Sequence, residues 1–364
     1  MRIISVDVSR VLIPFRVPFV VWRGELPAKE HVIVRITTDS GIVGWGEAAP
    51  FLFYAPETAL DVESMIVCAL APELIGRDPL AIRAIVQSFA PIDGHAFAKC
   101  AIEMALWDIL GKHAGLPLYQ LLGGKVRNQV PLTTVLHAGK PEGIRTEAKL
   151  LVSQGFRSLK VKIGFGIDPD EEMVAAARAG AGKHIAIRVD AEEHYQVKEA
   201  LALAKRLEAF NVELISQPVD RHDWEGMAFL RCAINTNLLA DEGILHPHDV
   251  LTCVKHGSAD MVNIKVLKAG GLIPALEMAA LCRAAHLPVM IGSMIEAGPG
   301  SLFGAHLAAV LPNLFSTELC GPLLLADDLL ADPVCIEAGA IMLSDRPGLG
   351  ADIDETRLER YRAI

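Results

Sequence analysis

Lysines and aspartates end several short apolar runs after residue 125 of this 364-residue chain. Lys160 and Lys162 alternate along one run, so their side chains share a face. Asp190 and Asp241 end two other runs, and Lys265 ends a fourth. Two close ammonium groups are expected to lower each other's pKa, which suits a lysine to act as a general base. Paired carboxylates suit a hard cation such as Mg²⁺. Together these residues indicate metal-assisted proton transfer at a carbon beside a carboxylate.

Each of these features also has a purely structural interpretation. A Lys-Val-Lys segment is common on a solvated strand, because lysine is mostly exposed in proteins. A single Asp after a strand more often caps the next helix. The recurrence of such residues at equivalent strand ends favours the catalytic interpretation over both.

The elements that must position these residues repeat regularly. Runs ending at residues 162, 190, 216, 241 and 265 are 24–28 residues apart, with helical patterns between them. A βα unit of this length, repeated about eight times, predicts a (β/α)8 barrel, whose active site lies at the carboxyl ends of the strands. An open doubly wound sheet is disfavoured because no glycine-rich phosphate loop follows its first strand. The predicted strands are Val130–Val135, Leu159–Ile163, Ile185–Val189, Val212–Ile215, Asn237–Ala240, Met261–Ile264, Pro288–Ile291 and Leu314–Thr317.

The chain before residue 125 has a different pattern, which predicts an antiparallel meander followed by helices. We therefore predict an α+β domain over residues 1–124, a barrel over 125–330, and a tail over 331–364 that returns to the first domain as strands. The predicted elements are strands Ile3–Pro14, His31–Thr38 and Ile42–Glu47, helices Pro56–Ile75, Pro79–Phe89 and Ala96–Ala114, and a tail strand Ile336–Leu343.

Composition narrows the class of function. The chain carries 34 Lys+Arg against 44 Asp+Glu, a net charge of −10, so nucleic acid and anionic membranes are poor partners. No apolar stretch reaches the roughly 18 residues of a membrane span, and the alternating N-terminus is typical of a strand rather than a signal peptide. Seven scattered cysteines favour free thiols and a cytoplasmic location.

The motifs at these positions, in their order and spacing, resemble the enolase superfamily, in the muconate-lactonizing-enzyme subgroup of the mandelate racemase/muconate lactonizing enzyme family. The resemblance covers essentially the whole chain. The resembling segments are Gly41–Glu47, Phe97–Asp108, Lys160-Val-Lys162, Arg188-Val-Asp190, Ser216-Gln-Pro218, Ala240-Asp-Glu242, Asn263-Ile-Lys265 and Ser293–Glu296.

This resemblance implies a modified TIM barrel, (β/α)7β, under an α+β capping domain that the C-terminal tail completes. It also implies Mg²⁺, with Mn²⁺ as the alternative, a small carboxylate substrate, and a homo-oligomer. Lys162 and Lys265 match the acid/base pair of the family, and Lys160 matches a lysine that supports the site electrostatically. Lys268, three residues beyond Lys265, is expected off the barrel axis.

One departure from the family concerns the expected metal ligands. The family carries three carboxylates at consecutive strand ends, and here Asp190 and Asp241 flank Ser216. A hydroxyl is a weaker, neutral ligand for a hard cation. Glu192 is the favoured substitute among the nearby acids, ahead of Glu193 and Glu242, while strand alternation turns Glu213 to the other face.

Two segments of the first domain are expected to reach over the barrel mouth as lids, namely Phe19–Glu25 and Phe51–Tyr54. Their aromatic side chains could close an apolar cover, or could simply pack the two domains together. With Glu296 and Glu318 on the last strands, the residues predicted to bind substrate are Trp22, Arg23, Phe51, Tyr54, Glu296 and Glu318, and Phe19 and Phe53 belong to the same lids.

The segment Thr317–Asp328 resembles muconate and chloromuconate cycloisomerases. Dipeptide epimerases of the L-Ala-D/L-Glu type usually carry two acids here, whereas Glu318 is followed by Cys320 in place of the second. Pro14–Phe19, by contrast, resembles an epimerase N-terminus. A cycloisomerase-like activity is therefore favoured, followed by a dipeptide or N-acylamino acid epimerase or racemase, and then by an o-succinylbenzoate synthase-like dehydratase. A non-catalytic descendant that only binds a carboxylate is the alternative outside enzymes.

Overall fold

The computed structural model describes residues 1–51 and 54–363. The chain begins with an antiparallel sheet, which is the predicted meander with longer strands and a tight hairpin between the first two. Helices then follow, and the predicted helix Pro56–Ile75 is interrupted by a π-helical turn at Ile66–Leu70. These elements, named the cap here, are β1 (Ile3–Val21), β2 (Gly24–Thr38), β3 (Val43–Ala48), α1 (Ala59–Met65), α2 (Ala71–Leu74), α3 (Ile82–Ser88), α4 (Ala96–Ala114) and α5 (Leu118–Leu121).

The centre of the cap is the contact between β3 and α4. A side chain at Gly44 would lie 2.2 Å from the backbone oxygen of Ala105, and one at Gly46 would lie 1.9 Å from that of Ala101. Only glycine permits this approach, which seats the strand on the helix. The result is a rigid platform from which Glu47, at the end of β3, reaches the barrel.

The predicted barrel is confirmed, with strand ends within a residue or two of those expected. Its first strand differs, because Val130–Pro131 forms β4 outside the barrel. A bridge between Leu132 and Thr317 joins the first and last barrel strands and closes the ring. In the described residues the parallel strands are, in order around the barrel, β5 (Thr134–Leu136), β6 (Ser158–Lys162), β7 (Ala186–Asp190), β8 (Val212–Ser216), β9 (Asn237–Ala240), β10 (Met261–Ile264), β11 (Val289–Ile291) and β12 (Leu314–Thr317).

Helices follow the barrel strands and cover their outer face, so the strands are buried on both sides. Leu214, Leu239, Met261 and Met290 fill the interior below the site. The helices are α6 (Pro141–Ser153), α7 (Ile167–Ala181), α8 (Val197–Leu207) with a 3₁₀ turn Glu208–Phe210, α9 (Trp224–Ala233), α10 (Pro247–His256), α11 (Val266–Ala269), α12 (Leu272–Ala284), α13 (Gly298–Val310) and α14 (Gly321–Leu324).

The tail behaves only partly as predicted. Its hairpin, β13 (Ile336–Glu337) and β14 (Ala340–Ile341), pairs with β4 rather than with the cap, because β4 leaves the barrel and offers a free strand edge there. The rest of the tail, with α15 (Glu355–Arg360), does return to the cap.

The end of the tail is bonded to the first strand. The amide of Leu12 donates to the Tyr361 carbonyl at 2.8 Å, and the amide of Ala363 donates to the Arg10 carbonyl at 2.8 Å. Earlier in the tail, the amide of Leu349 donates to Asp108 of α4 at 2.9 Å. Among the described helices, none is both long and apolar enough to cross a membrane.

Candidate active site

A small pocket of about 50 Å³ opens at the carboxyl ends of the barrel strands, under the cap. One side of the lining is apolar and includes two cap residues, Phe19 and Phe51, together with Val135, Met294, Ile295, Cys320 and Leu324. The other side is charged and consists of Lys160, Lys162, Asp190, Glu192, Glu242, Lys265 and Glu318.

The two lysines of β6 share a carboxylate oxygen on the neighbouring strand. Lys160 Nζ lies 2.8 Å from Asp190 Oδ2, and Lys162 Nζ lies 2.9 Å from the same atom. Lys160 also donates to Glu318 Oε2 at 2.7 Å, and Lys162 donates to Glu192 Oε1. Because β6 and β7 are paired with Lys162 opposite Asp190, this cluster is fixed by strand register.

The third lysine faces this cluster from across the barrel. Lys265 follows β10, four strands from β6 in the ring, and its Nζ lies 2.7 Å from Asp241 Oδ1. Lys268 donates to the Asp241 backbone carbonyl at 2.7 Å, and Asn263 Nδ2 donates to Asp241 Oδ2 at 2.7 Å. Lys265 lines the pocket, whereas Lys268 lies behind it against Asp241, as its expected position off the axis suggested.

The expected lowering of the lysine pKa values is wrong for the three lysines in the pocket. Burial favours the neutral amine of Lys162, but the negative charges of Asp190 and Glu192 outweigh it and raise its pKa well above the ordinary value. Carboxylates raise the pKa of Lys160 and Lys265 in the same way against burial. Repulsion between ammonium groups is therefore the smaller effect, because each lysine lies 2.7–2.9 Å from a carboxylate oxygen.

The acids respond to the same charges. Burial acts to raise the pKa of Asp190, but Lys160 and Lys162 overcome it and hold that pKa far below its ordinary range. Asp241 is held low by Lys265 and Lys268 in the same way. Glu242 differs, since burial and the nearby charge of Asp241 raise its pKa to about 8.

The strand ends expected to hold a metal lie side by side, with Asp190 paired to Ser216 in register and Asp241 just beyond the next strand. Asp190 Oδ1, Ser216 Oγ and Glu242 Oε2 are buried oxygens without a hydrogen-bond donor. Such atoms suit a hard cation. Within residues 1–51 and 54–363, however, no three His, Cys, Asp or Glu side chains converge on a point that could hold a metal. The orphaned oxygens of Asp190 and Ser216 fit a cation, and Asp241 would join them on leaving Lys265 and Asn263, to which its two carboxylate oxygens are bonded.

Glu192 does not take the place of the missing carboxylate. Its two carboxylate oxygens are directed at Lys162 and at the hydroxyl of Tyr54, not at Ser216. Glu213 points away from the pocket, as strand alternation predicted, and pairs with Arg188 at 2.7 Å.

The residues predicted to bind substrate fall into two groups. Phe51, Tyr54 and Glu318 line the pocket, and Phe51 stacks on Tyr54 with ring centroids 5.3 Å apart. Trp22 and Arg23 form the tip of the β1–β2 hairpin, outside the lining, where Arg23 lies 4.4 Å over the Trp22 ring. Phe53 lies outside the described residues.

Glu296 is displaced from the pocket by the segment before it. The chain reverses at Ile295, whose φ of +59° is unusual for a β-branched residue. The Glu296 carboxylate is thereby turned inward, where it accepts from the amide of Met294 at 2.8 Å and from the hydroxyl of Ser293. Ser293, Met294 and Ile295 form the wall instead. The Ser293–Glu296 motif indicated that this segment lies at the site, but it did not indicate which of its residues faces the pocket.

Sequence reasoning missed a buried polar cluster where the cap meets the barrel. Glu47 accepts the amides of Ala297 and Gly300, each at 2.8 Å, and so caps the start of α13 from another part of the fold. His31 Nδ1 lies 2.8 Å from Glu47 Oε1. Lys29, also buried, donates to the carbonyl of Pro50, next to Phe51. The available signal was the placement of Lys29 and His31 on one face of β2, directly before the apolar run Val32–Val34.

Comparison with known proteins gives the same identification along the whole chain. Residues 3–123 match the N-terminal domain of mandelate racemase/muconate lactonizing enzyme, and residues 143–357 match the enolase C-terminal domain-like family. The chain is 34% identical over 354 residues to the L-Ala-D/L-Glu epimerase of Bacillus subtilis, covering 96% of both chains. It is 32% identical to muconate cycloisomerase 1 of Acinetobacter baylyi, covering 98% of this chain and 99% of that one.

Among solved structures, N-succinyl Arg/Lys racemase from Bacillus cereus superposes with a TM-score of 0.96 at 32% identity, covering 100% of this chain and 99% of that one. Epimerase, cycloisomerase and racemase are all isomerases, and this protein is accordingly an isomerase. The two family matches, the relatives and the barrel with its cap show that the chain belongs to the mandelate racemase/muconate lactonizing enzyme group of the enolase superfamily.

Proposed function

We propose that the protein moves a proton at the carbon next to a substrate carboxylate, with Lys162 and Lys265 as the acid/base pair. The observation that carries this proposal is that both ammonium groups line one pocket from strands on opposite sides of the barrel. A carbon held between them has one lysine on each face. One lysine removes the proton, and the other delivers a proton to the opposite face.

The remaining charged groups support this step. Lys160, held between Asp190 and Glu318, keeps its positive charge and stabilises negative charge that develops on the substrate carboxylate. Lys162 and Lys265 are also held charged, which is the state required of the acid. The lysine that acts as base has to release its own proton to solvent first, and leaving its carboxylate partners favours this neutral form. Met294, Ile295 and the cap aromatics exclude water from the reacting carbon.

A divalent cation held by Asp190, Ser216 and Asp241, Mg²⁺ in the first place and Mn²⁺ as the alternative, would polarise the substrate carboxylate. The two carboxylates carry the charge of such a site, and the serine contributes a neutral oxygen.

The pocket narrows the class of substrate. Glu318 Oε1 is buried without a donor, so it is suited to accept an N–H from a substrate amide. A free ammonium is less suited, because Cys320 stands where a second acid would be needed and Glu192 is already paired with Lys162. An N-acylated amino acid with an apolar side chain satisfies both conditions, because it offers an amide N–H to Glu318 and carries no free ammonium. We therefore place an N-acylamino acid racemase or epimerase first.

A muconate cycloisomerase-like reaction is the second candidate, and the apolar wall formed by residues such as Ile295 and Cys320 favours it. Muconate fits the acceptor less well, because a doubly deprotonated acid brings two negative charges and no donor to Glu318.

The test is a screen in D₂O with added MgCl₂. N-acetyl and N-succinyl derivatives of apolar amino acids, dipeptides, cis,cis-muconate and the o-succinylbenzoate precursor are incubated with the protein and followed by ¹H NMR. Loss of the α-proton signal in an N-acylamino acid, absent in Lys162→Ala, supports the first candidate. Lactone formation from muconate supports the second. Absence of exchange in every compound would overturn the proposal and favour a protein that only binds carboxylates.

A further inference from the structure

Glu192 is contacted by both parts of the cap that approach the barrel mouth. The indole Nε1 of Trp22, at the tip of the β1–β2 hairpin, donates to the Glu192 backbone carbonyl at 3.2 Å. The hydroxyl of Tyr54 donates to Glu192 Oε2. The other carboxylate oxygen, Oε1, accepts from Lys162. Glu192 is buried, 3% exposed, and its carboxylate connects Tyr54 to one lysine of the pocket while its backbone carbonyl is held by Trp22.

The segment Glu192–His194, named the docking segment here, has a backbone shaped for these contacts. Glu192 and Glu193 have φ of +47° and +66°, a left-handed conformation that is uncommon outside glycine. The amide of Glu193 donates to the Gln217 carbonyl at 2.9 Å, which holds this conformation from the next strand. Strained backbone kept in place by its surroundings is a frequent feature of functional sites.

Each residue of the docking segment has a partner from the cap. Trp22 packs on His194 with ring centroids 4.6 Å apart, and Arg23 lies 3.5 Å from Glu193 Oε2. Trp22 and Arg23, which do not line the pocket, therefore act on the segment next to it. This contact explains their position better than direct substrate binding does.

Within residues 1–51 and 54–363, the connection reaches Lys162 and not Lys265. Lys265 is bound at 2.7 Å to Asp241 and lies 3.8 Å from Glu242, and both acids belong to the barrel. Lys162 and Lys265 have almost the same side-chain exposure, 12% and 11%. The two lysines are therefore equally buried, but Lys162 is linked to the cap through Glu192 and Lys265 is bound to barrel acids.

We infer that Glu192 is a positioning residue through which Tyr54 and Trp22 of the cap fix the ammonium group of Lys162, and not that of Lys265. This inference rests on the proposed function, because it gives the cap control over one face of the substrate. Removing the Tyr54 hydroxyl should free the Glu192 carboxylate on one side and loosen Lys162. Proton transfer on the Lys162 face should then slow, while transfer on the Lys265 face is retained.

The first test needs no substrate. Wild type, Tyr54→Phe and Glu192→Gln are pulsed briefly with acetic anhydride at one pH, and mass spectrometry gives the acetylation ratio of Lys162 to Lys265. Tyr195→Phe is the matched control, because Tyr195 donates a hydroxyl bond to Asp170 in the same way without touching either lysine. We expect Tyr54→Phe to change the ratio at least threefold and Tyr195→Phe to leave it unchanged. An unchanged ratio in Tyr54→Phe would overturn the inference.

A double variant tests whether the two residues act in series. If Tyr54 acts through Glu192, Tyr54→Phe adds little to the ratio change already produced by Glu192→Gln. If the ratio changes of the two single variants add fully in the double variant, Tyr54 does not act through Glu192 and the inference is overturned. Should Tyr54→Phe not fold, as judged by its thermal transition, Trp22→Phe replaces it, because it removes the bond to the Glu192 carbonyl and keeps an aromatic ring at that position.

The second test uses both enantiomers of an N-acylamino acid that the screen finds active. In Tyr54→Phe we expect kcat for deuterium incorporation to fall for one enantiomer and to stay within twofold of wild type for the other. Equal loss for both enantiomers would indicate a general structural role and contradict the inference. If no compound exchanges, the proposed function fails while the acetylation ratio still decides the positioning role.

Discussion

Lys162 and Lys265 reach one pocket from opposite sides of the barrel, and each is bound to a different aspartate, Asp190 and Asp241. The two faces of the site are therefore separate in charge as well as in space. A reaction at either lysine has to break the contact between that lysine and its aspartate, and it can leave the other lysine–aspartate contact intact.

The first prediction concerns these two lysines. Lys162→Ala and Lys265→Ala should each lower isomerisation about 10²–10⁴-fold, because one face of the substrate then lacks its acid or base. Each variant should still exchange the α-proton that faces the lysine it keeps. Exchange of the two enantiomers in D₂O, followed by NMR, measures this. Circular dichroism and the exposed-site control Lys140→Ala exclude a folding effect, and near wild-type isomerisation in either variant would falsify the assignment.

The second prediction concerns the metal. Ser216→Glu should bind Mg²⁺ more tightly than wild type, because it adds a carboxylate between Asp190 and Asp241 in place of a neutral hydroxyl. Titration calorimetry at fixed pH compares wild type, Ser216→Glu and Ser216→Gln. The glutamine variant has the same size without the charge and should not gain affinity. Equal affinity of wild type and Ser216→Glu would mean that serine is not the weak ligand.

A third prediction concerns the pH dependence of stability through Lys29. Burial lowers the pKa of Lys29 from 10.5 to about 7. Between those values the unfolded chain holds the proton and the folded protein does not, so the free energy of unfolding rises with pH. The slope from one such group is at most about 1.4 kcal/mol per pH unit.

Lys29→Met removes this titrating group and keeps an apolar side chain of similar length. Urea unfolding at pH 7, 8 and 9 should therefore show wild type gaining stability relative to Lys29→Met as the pH rises. The exposed Lys140→Met should show no such trend. A difference between wild type and Lys29→Met that is constant over this range would rule out a deprotonated Lys29 in the folded protein.

The fourth prediction concerns the contact between cap and barrel. Glu47→Gln should lower the free energy of unfolding by about 1–3 kcal/mol, because an amide group cannot accept both the Ala297 and Gly300 amides and one buried N–H loses its partner. Urea unfolding measures the change. Glu355→Gln, at an exposed site, serves as control, and a loss no larger than that of this control would show that Glu47 does not cap α13.

The barrel and its strand ends were predictable because two local signals agree there. Short apolar runs alternate with helical patterns, and three of these runs end in a charged residue, namely Lys162, Asp190 and Lys265. The break of the predicted strand Val130–Val135 was not predictable in this way. It depends on a tail hairpin some 200 residues away that takes up β4.

Side-chain charge was the weakest prediction at the site. From the sequence, Lys160 and Lys162 were visible as a pair, whereas Glu318, 158 residues beyond Lys160, was not visible as a partner. The direction of the Lys160 pKa shift depends on how close the Glu318 carboxylate lies to the Lys160 ammonium in the folded protein. Glu296 was misplaced for a similar reason, since the reversal at Ile295 changes which side of the segment faces the pocket.

The bonds between β1 and residues 361–363 have a consequence for synthesis on the ribosome. β1 is synthesised before residues 361–363, so the bonds that join the Arg10 carbonyl and the Leu12 amide to those residues form only after residues 361–363 have emerged. The order of translation is thus opposite to the order in which this edge can be completed. An unfinished chain presents an open strand edge, the type of surface that joins other chains. Removal of residues 361–363 should accordingly leave that edge of β1 exposed in the folded protein.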